Sequence, residues 1–168
     1  MSKFLIILHH NYIGDKKMRP LTGNIDGKLD SKGRAFLPAS FRRQLDGCTS
    51  FYIRKDVFQN CLILYPEASW EETVSVLRQR LSPWNKREDQ IFRQFVADAD
   101  YIELEENGRM LLPKRHLKNL NLQGEIKFIG KFTNIEIWPI FKAEETFIEE
   151  EILANELEKL MKDSLSEK

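Results

Sequence analysis

Short apolar runs broken by polar turns occupy most of the chain, and the spacing becomes helical after residue 68 and again after residue 141. Gly23 to Leu29 and Ala35 to Leu37 flank a tight polar turn, where Gly33 offers the positive φ that such a turn needs, so a hairpin is predicted. Pro38 opens a short helix with Phe41 and Leu45 on one face and Gly47 as its stop; Arg42 and Arg43 lie elsewhere on its surface. Two β-rich runs follow, Phe51 to Arg54 and Cys61 to Tyr65, around a polar turn at Lys55 to Asn60.

This grammar is written twice. Leu29, Asp30, Gly33, Arg34, Leu37 and Pro38 recur as Leu104, Glu105, Gly108, Arg109, Leu112 and Pro113, each 75 positions on. The second copy predicts strands over Tyr101 to Leu104 and Arg109 to Leu112, a helix through Leu117 and Leu120, then strands over Ile126 to Ile129 and Ile135 to Trp138. Leu64-Tyr65-Pro66 returns as Ile137-Trp138-Pro139 at an offset of 73, so two residues are missing between the short helix and the last strand.

Helical tails follow each copy. Ser69 to Leu81 has a candidate capping box in Ser69 and Glu72, with Trp70, Val74 and Leu77 on one face. A second helix, about Arg87 to Ala99, gathers Ile91, Phe92 and Phe95, and both apolar faces suggest subunit contacts. Lys142 to about Ser164 reads as one acidic helix with Ile148, Ile152, Leu153, Leu157, Leu160 and Met161 as its stripe. The chain therefore divides into an extension over 1–17, a start-site addition or disordered arm; a first repeat over 18–66; linking helices over 67–99; a second repeat over 100–139; and an acidic helix over 140–168.

Composition narrows the class. The 168 residues suffice for one core, or one built from two intertwined halves, and no run approaches the roughly 18 apolar residues of a membrane span. Phe4 to Leu8 is too short for a secretory signal, which points to the cytoplasm. Cys48 and Cys61 are too few and too far apart for a zinc ribbon or redox pair and read as two half-buried thiols, while His9, His10 and His116 complete no metal site. His116 reads as a surface or core-edge residue.

Formal net charge is zero, but its distribution is uneven. Arg19 to Cys48 holds six basic residues against three acidic, whereas Phe141 to Lys168 holds four lysines against nine acidic residues. The two ends are built for different work. The sequence contains no nucleophile elbow, phosphate-binding loop or dinucleotide fingerprint, so neither an enzyme nor a cofactor nor a small-molecule substrate is expected.

The repeated turn is the chemical candidate. Asp30 can accept bonds from the turn backbone, Gly33 permits the bend, and Arg34 re-enters the strand beside Lys32 and near Lys28. An arginine fork on such a ridge can pair with guanine while a lysine holds phosphate. The competing reading is plain: Asp30 pairs with Arg34, and Glu105 with Arg109, as exposed ion pairs of little consequence. Glu105, Glu106 and Asn107 leave Arg109 without a lysine neighbour, so the first repeat should dominate any DNA contact.

Two copies of [Asp/Glu]-x-x-Gly-Arg-x-x-x-Pro, the strand ends CLILYP and IEIWP, and the EASWEE helix resemble the MraZ family of bacterial transcriptional regulators, from about Met18 to Phe147. The resemblance implies an α+β fold in which two AbrB-like copies interlock as a swapped-hairpin β-barrel, a pseudo-dimer with flanking helices. It further implies a homo-oligomeric ring that binds tandem short G-rich boxes in double-stranded DNA ahead of the division and cell-wall gene cluster beginning with its own gene, as a repressor. Asp30, Lys32, Gly33 and Arg34 match the first motif and Glu105, Gly108 and Arg109 the second. The expected DNA contacts are Lys28, Lys32, Arg34, Arg42 and Arg109, and the turn-formers are Asp30, Gly33, Glu105 and Gly108. A protein-interaction module, antitoxin-like or scaffold, is the other class that the acidic tail and zero net charge allow.

Overall fold

The computed structural model describes residues 12–13, 16–17 and 19–166. Of the expected extension, only β1 (Tyr12–Ile13) and β2 (Lys16–Lys17) are described, paired antiparallel; its other residues, His9 and His10 among them, lie outside the described residues. The first copy then runs β3 (Asn24–Leu29), β4 (Arg34–Phe36), α1 (Ala39–Gln44), β5 (Ser50–Lys55) and β6 (Leu62–Pro66). Helices α2 (Glu67–Arg80) and α3 (Lys86–Ala97) lead to β7 (Asp100–Glu103), β8 (Arg109–Leu111), α4 (Lys114–Leu120), β9 (Gly124–Gly130) and β10 (Ile135–Pro139). The chain closes with α5 (Ile140–Ala143), a 3-10 turn (Glu144–Thr146) and α6 (Glu150–Ser166).

Strands β3 to β10 make one eight-stranded antiparallel sheet in the order β7-β5-β6-β10-β9-β3-β4-β8. Its edges, β7 and β8, are consecutive in the chain and joined by the Glu105–Gly108 turn, where Glu105 N–H donates to Arg109 O at 2.8 Å. The sheet is thereby a nearly closed barrel, and little edge is left to pair with a stranger.

The register shows the expected swap. Hairpin β3–β4 pairs with β9 and β8 of the other copy, and β7 pairs with β5. Two ladders join equivalent strands: β4–β8 is centred on Ala35 opposite Met110, and β6–β10 on Ile63 opposite Glu136. These centres mark a pseudo-two-fold axis relating the copies. Because Phe51 and Ile126 still occupy matching places, 75 apart, the shortening falls in one connection: Asp56 to Cys61 joins β5 to β6, whereas Lys131 to Asn134 joins β9 to β10.

Alternation sorts the core. Leu62, Leu64, Ile135 and Ile137 point into the barrel with Phe41, Phe51, Ile53, Met110, Leu112, Ile126 and Phe128. Ile63, Tyr65 and Trp138 point outward, yet they are buried too, with Cys61, Trp70 and Ala143. That is why CLILYP and IEIWP read as continuous apolar runs rather than alternating ones. Trp70 stacks between Tyr52 and Phe95, with ring centroids 5.4 and 5.6 Å away, and the Arg54 guanidinium sits 4.1 Å from the Phe95 centroid.

Several expectations are corrected here. Trp70, expected on an outward face, is buried against its own barrel, because the outer face of β5 and β6 needs a cover. Helix α2 starts directly after Pro66, two residues before Ser69, and Ser69 is buried inside its first turn rather than capping it. Asn85 caps α3, accepting from the N–H groups of Arg87 and Glu88. The acidic helix is not continuous: α5 and the 3-10 turn end at Thr146, Phe147 is extended, and helix resumes at Glu150. Cys48 is half-buried, as expected of both thiols, but Cys61 is wholly buried. His116 is buried beneath the second copy, its Nε2 3.0 Å from Asp100 Oδ2, and burial pushes its pKa below the ordinary imidazole value.

Helix α6 is the exception to all this packing. Its residues from Glu150 to Asp163 are exposed, including Ile152, Leu153, Leu157, Leu160 and Met161. Among the described residues, no helix is long and apolar enough to cross a membrane.

One core substitution tests the interlock. Phe128→Ala, which empties a fully buried site touching both copies, is expected to cost about 3–5 kcal/mol in urea denaturation. A loss below about 1 kcal/mol would show that the copies do not share one core.

Candidate nucleic-acid interface

The β4–β8 pair is a short two-stranded ribbon on the barrel surface. Ala35 and Met110 point inward and are buried, so their neighbours Arg34, Phe36, Arg109 and Leu111 point outward. Arg34 pairs with Leu111 and Phe36 with Arg109, which sets the two arginines on a diagonal. Diagonal neighbours in such a ladder are about 7–8 Å apart. The ribbon is extended at both ends by exchanged bonds: Leu112 N–H donates to Gly33 O at 2.8 Å, and Leu37 N–H to Gly108 O at 2.9 Å. Each repeated turn is therefore pinned by the opposite copy.

The first turn is organised by Asp30. Its Oδ1 accepts from the N–H groups of Lys32 and Arg34, both at 2.9 Å, and its Oδ2 accepts from Arg34 Nε at 2.7 Å. The backbone N–H of Arg34, before any other cause, holds the Asp30 carboxyl below its usual range. The carboxylate engages Nε, and among the described residues no hydrogen bond from either terminal nitrogen of Arg34 is seen. Lys32 is exposed at the tip.

The second turn divides the same work between two residues. Asn107 Oδ1 accepts from Arg109 N–H at 2.9 Å, while Glu105, one methylene longer than Asp30, takes the guanidinium through Nε and Nη2. The Glu105 hydrogen bond raises the Arg109 pKa, and this fork holds Arg109 more fully than Asp30 holds Arg34. Asn107, at the place of Lys32, is visible in the sequence as an Asn-Gly turn signal.

Helices cross between the copies as the strands do. A Cβ placed on Gly108, where φ is +87°, would lie 2.8 Å from the guanidinium atoms of Arg42, carried by α1 of the first copy. A Cβ on Gly33, where φ is +85°, would lie 2.9 Å from Leu117 Cδ1, carried by α4 of the second. Arg42 and Leu117 are equivalents 75 apart. Arg42 thus stands beside the second turn and supplies the cation that the sequence around Arg109 lacks. Lys28 is placed differently: it lies on β3 opposite Glu125, lining a small cleft with Asp26, Gly27 and Ile140.

Elsewhere among the described residues, Asp56, Cys61 and Glu136 bring their ligand-type atoms within 4.8 Å of one another. Their acceptors are occupied from within: Phe58 and Gln59 N–H donate to Asp56 Oδ1, and Lys131 Nζ and Trp138 Nε1 donate to Glu136. Burial raises the Cys61 thiol far above its ordinary pKa, so this is a knot of buried polar groups that ties β6 to β10.

Comparison with known proteins agrees with this architecture. The family model for the MraZ protein matches residues 21–94 and, a second time, residues 95–162. A relative from Bacteroides fragilis strain ATCC 25285, named Transcriptional regulator MraZ, is 48% identical over 143 residues, 84% of this chain and 90% of the relative. A relative of the same name from Bacteroides thetaiotaomicron is 47% identical over 143 residues, 84% of this chain and 92% of the relative. One from Phocaeicola vulgatus, again so named, is 48% identical over 141 residues, with 83% of this chain and 92% of the relative covered. The two interlocked copies are the two family matches, and the chain belongs to the MraZ family.

Proposed function

We propose that the chain is a sequence-specific transcription regulator that binds double-stranded DNA with its β4–β8 ribbon. The observation that carries this is the placing of Arg34 and Arg109 at equivalent, outward positions of one two-stranded ribbon, a shape that the major groove admits. Arg34, its terminal nitrogens without a hydrogen bond among the described residues, is the leading reader of guanine, with Lys32 on phosphate. Arg109 and Arg42 form the second head. Glu105 must yield when a base edge or phosphate competes, so the first head should contribute more.

The fuller reading is a cytoplasmic, nucleoid-associated repressor that binds tandem short G-rich boxes ahead of the division and cell-wall cluster, its own gene included, as a ring of copies. Zero net charge supports oligomeric binding, because several modest contacts on one assembly multiply through effective concentration. The uncovered stripe of α6 and exposed Ile91 on α3 supply apolar surface for contact between copies. That same α6 stripe also favours a second reading, a protein-interaction module; one stoichiometric protein co-purifying, with no preference for G-rich DNA, would select it.

Fluorescence anisotropy with a duplex from the gene's own upstream region tests the leading reading. Arg34→Ala is expected to weaken binding by at least about tenfold, the loss of one bidentate base contact, and to abolish preference over a duplex with scrambled G-rich boxes. Arg109→Ala should cost less. Equal binding of all duplexes by the native chain would reject the assignment. In size-exclusion chromatography with light scattering, the chain is expected to elute as a homo-oligomer, whereas a monodisperse monomer at micromolar concentration would remove the ring.

A further inference from the structure

Phe36 and Leu111 stand out on the ribbon because nothing in the barrel requires them to be apolar. They are equivalents 75 apart, 59% and 56% exposed, and each is the cross-strand partner of the other copy's arginine. Exposed apolar side chains on a short strand near a sheet edge invite unwanted association, so their placement on this face calls for a partner that covers them. The four outward residues form a checkerboard, arginine beside apolar in both directions. Arg42 and Lys32 add positive charge at the two ends, which fits a polyanion and does not fit the apolar core of another protein.

We infer that Phe36 and Leu111 read thymine methyl groups in the major groove, next to the base pairs that the arginines contact. This rests on the DNA-binding reading above and gives its specificity a second half. Among base edges in the major groove, the thymine C5-methyl is the apolar mark, and side chains such as phenylalanine recognise it by contact alone. The diagonal separation of the arginines, about 7–8 Å, spans roughly two base-pair steps of about 3.4 Å, so the apolar pair occupies the steps beside and between them. An arginine on guanine and an adjoining apolar group on thymine distinguish a mixed G and T sequence from a run of guanines.

Replacing thymine by uracil removes only the methyl group, so it probes this contact without disturbing base pairing. With the upstream duplex, uracil across the bound boxes is expected to weaken the native chain by about fourfold per methyl lost, the effect of uncovering one methyl-sized group. A Phe36→Ala/Leu111→Ala chain should bind the thymine duplex more weakly, bind thymine and uracil duplexes alike, and keep the native salt dependence. Identical native affinity for the two duplexes would overturn the inference while leaving DNA reading intact, as would retained thymine preference in the double variant. Failure of the native chain to prefer its upstream duplex over a scrambled one would instead overturn the DNA reading, and this inference with it. Should the double variant fold poorly by circular dichroism, the uracil comparison on the native chain decides alone.

Discussion

Everything in this fold depends on backbone groups that neither repeat can satisfy alone. A hairpin such as β3–β4 leaves donors and acceptors along both outer edges, and a lone hairpin is marginal in water. Here the missing partners come from the other copy: β9 lies against β3, β8 against β4, and β5 against β7. The same exchange sets the side chains, since one inner face collects Phe41, Phe51, Met110, Leu112 and Phe128 from both halves. Stability and the surface proposed to meet DNA therefore have a single origin. The ribbon exists because the copies must pair, and its outward residues are those the pairing leaves over.

The turns show how local chemistry tunes a shared frame. Asp30 does two things at once, ordering the backbone and bracing one nitrogen of Arg34. In the second turn Asn107 and Glu105 take one task each, and the longer carboxylate takes two nitrogens of the guanidinium. A braced guanidinium has less freedom to lose on contact with a planar acceptor, while a fully occupied one must first exchange partners.

Much of this was legible before any coordinates. The repeated Gly-Arg turns, the strand ends and the constant 75-residue offset carried the architecture, because turn residues and alternation act over a few positions. What escaped the sequence were contacts between distant segments. Arg42 reads as an ordinary charge on a short helix, and only the swap brings it to Gly108. Trp70 reads as one point of an outward stripe, yet β5 and β6 have an apolar outer face that takes it. Ser69 has the form of a cap, but Pro66 already starts the helix. The break before Glu150 falls within a stretch of uniform helical periodicity, and periodicity does not register a single extended residue such as Phe147.

The pseudo-two-fold axis through Ala35 and Met110 has an evolutionary and directional consequence. Two identical chains meeting at a true axis must present the same residues at both ends of their ribbon, and such a surface cannot tell one direction along a duplex from the other. Joining both halves in one polypeptide frees each end to drift. Lys32 and Arg34 mark one end, and Glu105, Asn107 and a borrowed Arg42 mark the other. A single subunit is thereby an arrow rather than a palindrome, and under the proposed DNA reading it would lie on asymmetric DNA in one orientation.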